Sequence, residues 1–287
     1  MLKISIKGYL TEIFSSFQGE GGKVRGSCFG KRQIFIRFAG CNLVEGAFSS
    51  TGCFWCDSPH AQRLKKEKYK YEVSPNSQKF LNSNNPIEIK EIIKIIKQLI
   101  TPDLHSISFT GGEPLYQLDF VLNLSRELRA QKINYPLYLE TNGAINPDKD
   151  QFEELAKRFK YTCCDIKDRS SKATLSDEWK NLVNTELLFI EKMVNLGVET
   201  FAKLVVTSQT QIQDIKWICK NLSKIKFSNG QIVGLAIQPV TLEKKELKEK
   251  FSVSIEHLNN IFYAASEFLP PESLTLSVQV HKYLNLL

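Results

Sequence analysis

Past residue 85 the chain alternates between two hydrophobic periods. Residues 87–99 (IEIKEIIKIIKQL) repeat isoleucine at three- and four-residue intervals, the spacing that gives a helix one apolar face. Residues 106–109 form a short apolar run that ends in Thr110-Gly111-Gly112. The exchange then recurs. Helical patterns cover 118–128, 151–159, 182–195, 211–222 and 255–268, and strand patterns cover 137–140, 161–165, 201–206, 232–238 and 274–278. Strands alternating with helices of roughly 10–15 residues predict βαβ units on a parallel sheet, joined by right-handed crossovers. Such a sheet opens out or curls into a full or partial barrel, and in both forms function gathers at the strand C-terminal ends. Four polar signatures follow predicted strands here: Gly111-Gly112-Glu113-Pro114, Glu140-Thr141-Asn142-Gly143, Asp165-Ile166-Lys167 and Gln238-Pro239.

Residues 1–84 differ. They hold one strong strand pattern, 33–38 (QIFIRF), and are otherwise rich in Gly and Ser, while 74–85 reads as a polar loop. The expectation is a single domain over 1–287 in which 1–84 supplies loops.

Composition narrows the class. Apolar residues are 42% and charged residues 24% of 287, which excludes a disordered, collagen-like or mucin-like chain. No apolar run approaches the ~20 residues of a membrane span. The start, MLKISIKG, lacks the apolar core and small-residue site of a secretory leader, so a cytoplasmic location is expected. The net charge of +7 permits a nucleic-acid partner without requiring one. Two Lys-rich stretches, 65–70 and 244–250, read first as solvated surface. Gathering an anionic substrate or cofactor is the narrower alternative.

The seven cysteines, an odd number in a long chain, argue against a disulfide framework. Cys53 and Cys56 form a C-x-x-C, which suits two thiolates on one metal centre. Cys41 directly follows the strand at 33–38, and the eleven residues between it and Cys53 can return the chain to that centre at small entropic cost. Structural zinc wants four closed ligands; no His or Cys nearby makes an obvious fourth, and His60 is the one candidate. An iron–sulfur cluster prefers soft thiolates. With three cysteines, a four-iron cluster keeps one iron open for a substrate or cofactor. A C-x-x-C alone also reads as a redox pair. Cys28, Cys163, Cys164 and Cys219 read as core packing.

Other residues carry two readings each. Arg37 lies in an apolar strand and needs an anionic partner, which is either a structural carboxylate or a ligand's carboxylate on its planar fork. The glycines before Glu113 allow a close backbone approach, and Glu113 can accept from an ammonium group, unless the motif is only a strand-end turn. The Gly-rich 19–22 could cradle phosphate, but no Gly-Lys-Ser/Thr follows it. Ser58 reads as a helix N-cap.

Taken together, one ordered set of motifs resembles a known superfamily. The set is EIFSSFQGEG from Glu12, FIRFAGCNL from Phe35, Cys56-Asp57-Ser58, the four strand-end signatures and QVHKYLN from Gln279. It is similar to the radical S-adenosylmethionine enzymes, and within them to the branch that forms 7-carboxy-7-deazaguanine. Most members space the triad C-x-x-x-C-x-x-C. The longer first interval here matches a lengthened loop in some members of that branch.

The resemblance implies a partial (β/α) barrel of mainly parallel strands in the α/β class. It implies a [4Fe–4S] cluster on Cys41, Cys53 and Cys56, with S-adenosylmethionine on the open iron. The implied reaction is radical conversion of 6-carboxy-5,6,7,8-tetrahydropterin to 7-carboxy-7-deazaguanine with loss of ammonia, a step toward queuosine-type bases. Cofactor contacts fall on Trp55, Cys56, Asp57, Gly112, Glu113, Glu140, Thr141, Asn142, Asp165, Ile166, Lys167, Gln238, Pro239, Val240 and Thr241. Here Asp165-Ile166 stands where Ser-Pro is commoner. Substrate contacts fall on Phe17, Gln18, Gly19, Glu20, Arg37, Thr110, His281 and the terminal carboxylate of Leu287. Ser58, in place of a Thr, is implied as a Mg²⁺ ligand. The chain past Lys167 is longer than the resemblance leads one to expect, and 168–200 is set apart as an insertion whose helix is open to an interface or a lid role. A flavodoxin or ferredoxin reductant, a homodimer, and no nucleic-acid or membrane partner complete the expectation. Two alternatives stand beside it: an activase that places a glycyl radical on a partner protein, and a zinc-stapled RNA-binding module.

Overall fold

The computed structural model of the chain describes residues 6–46, 52–242 and 244–284, without the side chain of His281. The expected substrate contacts by that side chain and by Leu287 therefore lie outside the described residues. The chain opens with β1 (Lys7–Gly8), β2 (Leu10–Phe17), β3 (Arg32–Phe38), the short helix α1 (Asn42–Glu45), β4 (Lys68–Glu72), β5 (Phe80–Asn84) and β6 (Ile87–Glu88). Regular alternation follows: α2 (Ile89–Leu99), β7 (Leu104–Gly111), α3 (Leu118–Ala130), β8 (Leu137–Thr141), α4 (Lys149–Arg158), β9 (Phe159–Ile166), α5 (Trp179–Asn195), β10 (Glu199–Val206), α6 (Ile212–Leu222) and β11 (Leu235–Pro239). The last elements are α7 (Lys245–Phe251), α8 (Ile255–Ser266), β12 (Leu274–Leu276) and α9 (Val280–Tyr283).

Ten strands make one sheet in the order β12-β11-β10-β9-β8-β7-β3-β2-β4-β5. From β3 to β12 every pairing is parallel, whereas β2 runs antiparallel to β3 and β5 antiparallel to β4. The end strands do not pair with each other, so the sheet is an open, curled partial barrel. The helices cover one face. Ile92, Ile93 and Ile96 of α2, Phe120 and Leu124 of α3, and Phe189 and Ile190 of α5 share one buried cluster with Ile34, Ile36, Leu139, Leu204 and Ile237 of the strands. Side-chain hydrogen bonds start two of the helices. Asp148 and Gln151 form a capping box on α4, and Ser254 accepts from the His257 N–H at α8.

Two expectations need correction. Residues 1–84 contribute four strands to the sheet where the sequence reading finds one. β2 (LTEIFSSF) hides its buried character behind Thr11, Glu12, Ser15 and Ser16, of which Glu12 pairs with Arg37, and β4–β5 (KYKYE, FLNSN) is a half-exposed polar hairpin at the sheet edge. Polar sequences of this kind carry little hydrophobic alternation to detect. Helix α5 is neither lid nor free interface. It is the crossover between β9 and β10, and Leu182, Val183, Phe189, Ile190 and Met193 are buried beneath the sheet. No described helix is long and apolar enough to cross a membrane.

Candidate active site

Strand side chains alternate between faces, and that period puts the polar residues on the concave side. Along β10, Ala202, Leu204 and Val206 join the helix-covered core, while Lys203 and Val205 line a cavity. The same division separates Ile36 and Phe38 from Phe35 and Arg37 on β3, Leu139 from Glu140 on β8, and Ile237 from Gln238 on β11. Parallel register sets Arg37 opposite Thr110 and Asp165 opposite Lys203. The cavity encloses about 190 Å³ at the strand C-terminal ends.

β3 runs through Ala39-Gly40 into Cys41, whose carbonyl accepts from the N–H groups of Val44 and Glu45 at the start of α1. The Gly111-Gly112-Glu113 turn clamps this approach. The Gly112 N–H donates to Phe38 O at 3.0 Å and the Glu113 N–H to Gly40 O at 2.8 Å. A Cβ at position 112 would lie 2.1 Å from Gly40 O and 2.5 Å from Ala61 O, so backbone packing alone requires glycine there. On the second arm, the Cys56 N–H donates to Cys53 O, and the Phe54 N–H donates to Ser171 O at 2.9 Å.

Cys41, Cys53 and Cys56 line the same cavity. Burial pushes the Cys41 thiol up to about 11 and the Cys53 thiol up to about 12, and it raises Cys56 as well. Three thiols around one cavity are a soft donor set that fits an iron–sulfur cluster with one open metal. The zinc reading loses its fourth ligand, because the His60 Nε2 sits 3.0 Å from Glu12 Oε1. Among the described residues, no group of three or more His, Cys, Asp and Glu side chains converges on a single metal ion, which further disfavours zinc; in a four-iron cluster each thiolate meets a different iron.

The rest of the wall is a network of buried charges. Arg37 Nε lies 2.9 Å from Glu12 Oε1, and its Nη1 donates to Ser58 Oγ at 2.7 Å. Burial raises the Glu12 carboxyl, but His60, Arg37 and Lys70 outweigh that and hold it at about 2. Ser58 makes no side-chain cap bond. Its oxygen, already bonded to a guanidinium, is a poor Mg²⁺ ligand, so the donor set as folded does not fit that ion. Glu140 accepts from Gln18 Nε2 at 2.6 Å and from Thr110 Oγ1 at 2.8 Å. Lys203 Nζ lies 2.5 Å from Glu20 Oε2 and 3.9 Å from Asp165 Oδ2, and Lys167 Nζ donates to Asp165 Oδ2 at 2.6 Å. Burial lowers both ammonium groups, but Asp165, joined by Glu20 at Lys203, outweighs it and raises both above the usual lysine value. Gln279 bridges Glu20 (2.6 Å) and Asp57 (3.3 Å), and the Val280 N–H donates to Gly19 O, so the tail is seated on the 18–22 loop.

A model of the radical S-adenosylmethionine superfamily matches residues 39–249. The chain is 37% identical over 279 residues to the 7-carboxy-7-deazaguanine synthase of Thermococcus kodakarensis, covering 97% of this chain and 98% of the relative. It is 36% identical to that of Methanocaldococcus jannaschii, covering 97% and 100%. The chain belongs to the 7-carboxy-7-deazaguanine synthase family. At 18% identity, the crystal structure of QueE from Escherichia coli shares the fold, with a TM-score of 0.54 over 95% of this chain and 94% of that one.

Nearly all the residues that the family resemblance singles out line the one cavity. On the cofactor side these are Trp55, Cys56, Asp57, Gly112, Glu140, Thr141, Asn142, Asp165, Ile166, Lys167, Gln238, Val240 and Thr241; on the substrate side, Phe17, Gln18, Gly19, Glu20, Arg37 and Thr110. Ser58 also lines it. Two do not. Glu113 lies beneath the wall and spends its carboxylate on Leu115 N, Thr141 Oγ1 and Asn142 N, at 2.9, 2.7 and 2.7 Å, so no ammonium group reaches it. Pro239 turns away between Gln238 and Val240 and is absent from the lining. Sequence reasoning misses Lys203, Gln279, Asp168 and Cys163, all of which line the cavity. Lys203 carried the same signal as Arg37, a lone cation in an apolar strand (FAKLVV). Cys163, read as core, is buried at 4% exposure but on the concave side.

Proposed function

We propose that the protein is itself a 7-carboxy-7-deazaguanine synthase, converting 6-carboxy-5,6,7,8-tetrahydropterin to 7-carboxy-7-deazaguanine with release of ammonia. The observation that carries this reading is the meeting of three thiols and the Gln18–Glu140–Thr110 hydrogen-bond set in one cavity.

In this reading Cys41, Cys53 and Cys56 hold a [4Fe–4S] cluster. Trp55, Asp57, Thr141, Asn142, Asp165, Ile166, Lys167, Gln238, Val240 and Thr241 form the wall for S-adenosylmethionine. When bound, cluster and S-adenosylmethionine supply one-electron reduction and hydrogen abstraction. The chain's own residues bind and orient. Gln18 and Glu20 present an amide and a carboxylate to the edge of an amino-pyrimidinone, which has N–H donors and a carbonyl acceptor to match them. Arg37 offers a fork to the substrate carboxylate in competition with Glu12. Glu140 fixes Gln18 and Thr110, so it orients the substrate side and leaves the cofactor contact to its neighbours. Lys203, 2.5 Å from Glu20 Oε2, holds that carboxylate in place beside the substrate edge.

The activase alternative is less favoured, because the small-molecule set Gln18, Glu20 and Arg37 lines the same cavity as the thiols. The test is anaerobic reconstitution with iron and sulfide, then dithionite, S-adenosylmethionine and the pterin. A brown protein that yields the deazapurine and ammonia is expected, with Cys41→Ala losing both iron and turnover. A loaded protein that cleaves S-adenosylmethionine yet forms no deazapurine overturns the substrate assignment.

A further inference from the structure

The loop between Cys53 and Cys56 presents an aromatic ring to solvent. Phe54 is 47% exposed, although its ring centroid packs 5.1 Å from that of Phe251 and 6.3 Å from that of Trp55. Phe251 is buried at the end of α7, and its carbonyl accepts from the Ser208 N–H, which pins α7 to the turn after β10. Lys172 Nζ stands 5.5 Å from the Phe54 ring centroid, and Lys250 Nζ stands 5.4 Å from that of Phe251. Helix geometry sorts the other charges. At about 100° per residue, Lys248 falls on the Phe251 side of α7, while Glu246 and Glu249 fall on the opposite side with Lys245. Lys172, Lys248, Lys250, Glu246 and Glu249 are all exposed. The result is an apolar centre directly beside Cys53 and two residues from Cys56, with Lys172, Lys248 and Lys250 about it and the two α7 carboxylates on the far side of the helix.

We propose that this face docks the reductant, a small acidic one-electron carrier of the flavodoxin type, with Phe54 at the centre of the contact and Lys172, Lys248 and Lys250 as its basic rim. The inference rests on the cluster assignment above. Three features select the occupant. The lysine rim complements a carboxylate-rich partner and steers its approach. The exposed ring matches a partner whose redox group opens through an apolar edge, as a flavin ring does. The exposed position of Phe54 puts the carrier directly beside Cys53, a thiol of the proposed cluster site. In the transfer the carrier is oxidised by one electron and the cluster is reduced by one, with no bond made or broken. The Lys-rich run 244–250 thereby acquires a role beyond solvation.

The experiment uses the anaerobically reconstituted protein and the triple variant Lys172→Glu/Lys248→Glu/Lys250→Glu, with reduced flavodoxin as the probe. Flavodoxin affinity is measured by titration, cluster reduction by stopped-flow absorbance, and dithionite-driven turnover serves as the bypass. For the native protein, affinity should fall as salt rises. The triple variant should bind flavodoxin about tenfold or more weakly, with dithionite turnover and melting temperature preserved. The milder Lys172→Gln/Lys248→Gln pair should fall between the two. Flavodoxin affinity unmoved by charge reversal, or a lysine-dependent response to ferredoxin but not to flavodoxin, overturns the docking face. A native protein that takes up no iron–sulfur cluster overturns the functional reading instead, so the two failures are distinct.

Discussion

The two faces of the sheet are built on opposite terms. The outer face buries Ile34, Ile36, Leu139, Leu204 and Ile237 against helices. Its stability comes from apolar area removed from water, and any side chain of suitable volume serves. The inner face sets Arg37, Asp165 and Lys203 among partners of opposite charge and Glu140 among neutral hydrogen-bond donors. Buried ion pairs return little net stability against apolar replacements, so these residues are poorly explained by folding and well explained by the cavity they line. A period of two lets one strand serve both terms, because a change on one face need not touch the other.

That separation can be broken from the outer side first, where the largest effect is expected. Phe189 is fully buried in α5 and packs its ring 5.4 Å from Phe152 of α4. Phe189→Ala should cost about 3–5 kcal/mol of unfolding free energy through the cavity it leaves, measured by denaturant titration. The kcat/KM of the remaining folded protein should match that of the native protein at low temperature. A fall in kcat/KM at full folded occupancy would show that the faces are coupled.

The same contrast explains what was legible in the sequence. The outer face announced itself. Isoleucines at helical spacing in IEIKEIIKIIKQL and apolar strand runs placed nearly every element from residue 87 to 276, because one-sided burial imposes a period. The cysteine triad and the strand-end motifs were legible by spacing and order. The partners were not. Glu12 meets Arg37 across 25 positions, Glu20 meets Lys203 across 183, and Asn142 N–H meets Glu113 across 29, and no local pattern encodes such meetings. Glu113 was therefore read as a ligand contact when it is a brace between two loops. The short α7 was missed because a seven-residue, Lys- and Glu-rich segment has almost no apolar face.

From the inner side, Lys203 is the sharper probe. Lys203→Met leaves Glu20 with only Gln279 (2.6 Å) and Gln238 (3.4 Å). Losing one member of a buried pair costs about 3–5 kcal/mol, and cavity water around Glu20 reduces this to about 2 kcal/mol. Activity should suffer more visibly: the KM for the pterin should rise about tenfold or more, equivalent to about 1.4 kcal/mol of lost binding, while Lys203→Arg restores much of it. Steady-state kinetics alongside thermal melts reads both. Unchanged KM with lowered stability would move Lys203 from the functional to the structural side.

Glu113 belongs to neither face, and its effect is read only as a change with pH. It is fully buried, and although three donors favour its ionised form, burial dominates and raises the carboxyl from 4.5 to about 6. A carboxyl whose folded value lies above its unfolded value binds its proton more tightly in the native state. Its contribution to stability is therefore complete below pH 4.5 and is lost as pH rises through 6. The shift of about 1.5 pKa units corresponds to about 2 kcal/mol. Glu113→Gln removes this titration and also disturbs the bond from Asn142 N–H, so the variant is less stable at every pH, but its profile should be flatter. Between pH 4 and 7.5 the native protein should lose about 2 kcal/mol relative to the variant, measured by urea unfolding across that range. Parallel profiles would mean that Glu113 titrates in the folded protein at its unfolded value, so that the bonds from Leu115 N, Thr141 Oγ1 and Asn142 N cancel the cost of burial and the brace joining the Gly111-Gly112-Glu113 turn to Thr141-Asn142 carries a charge at neutral pH.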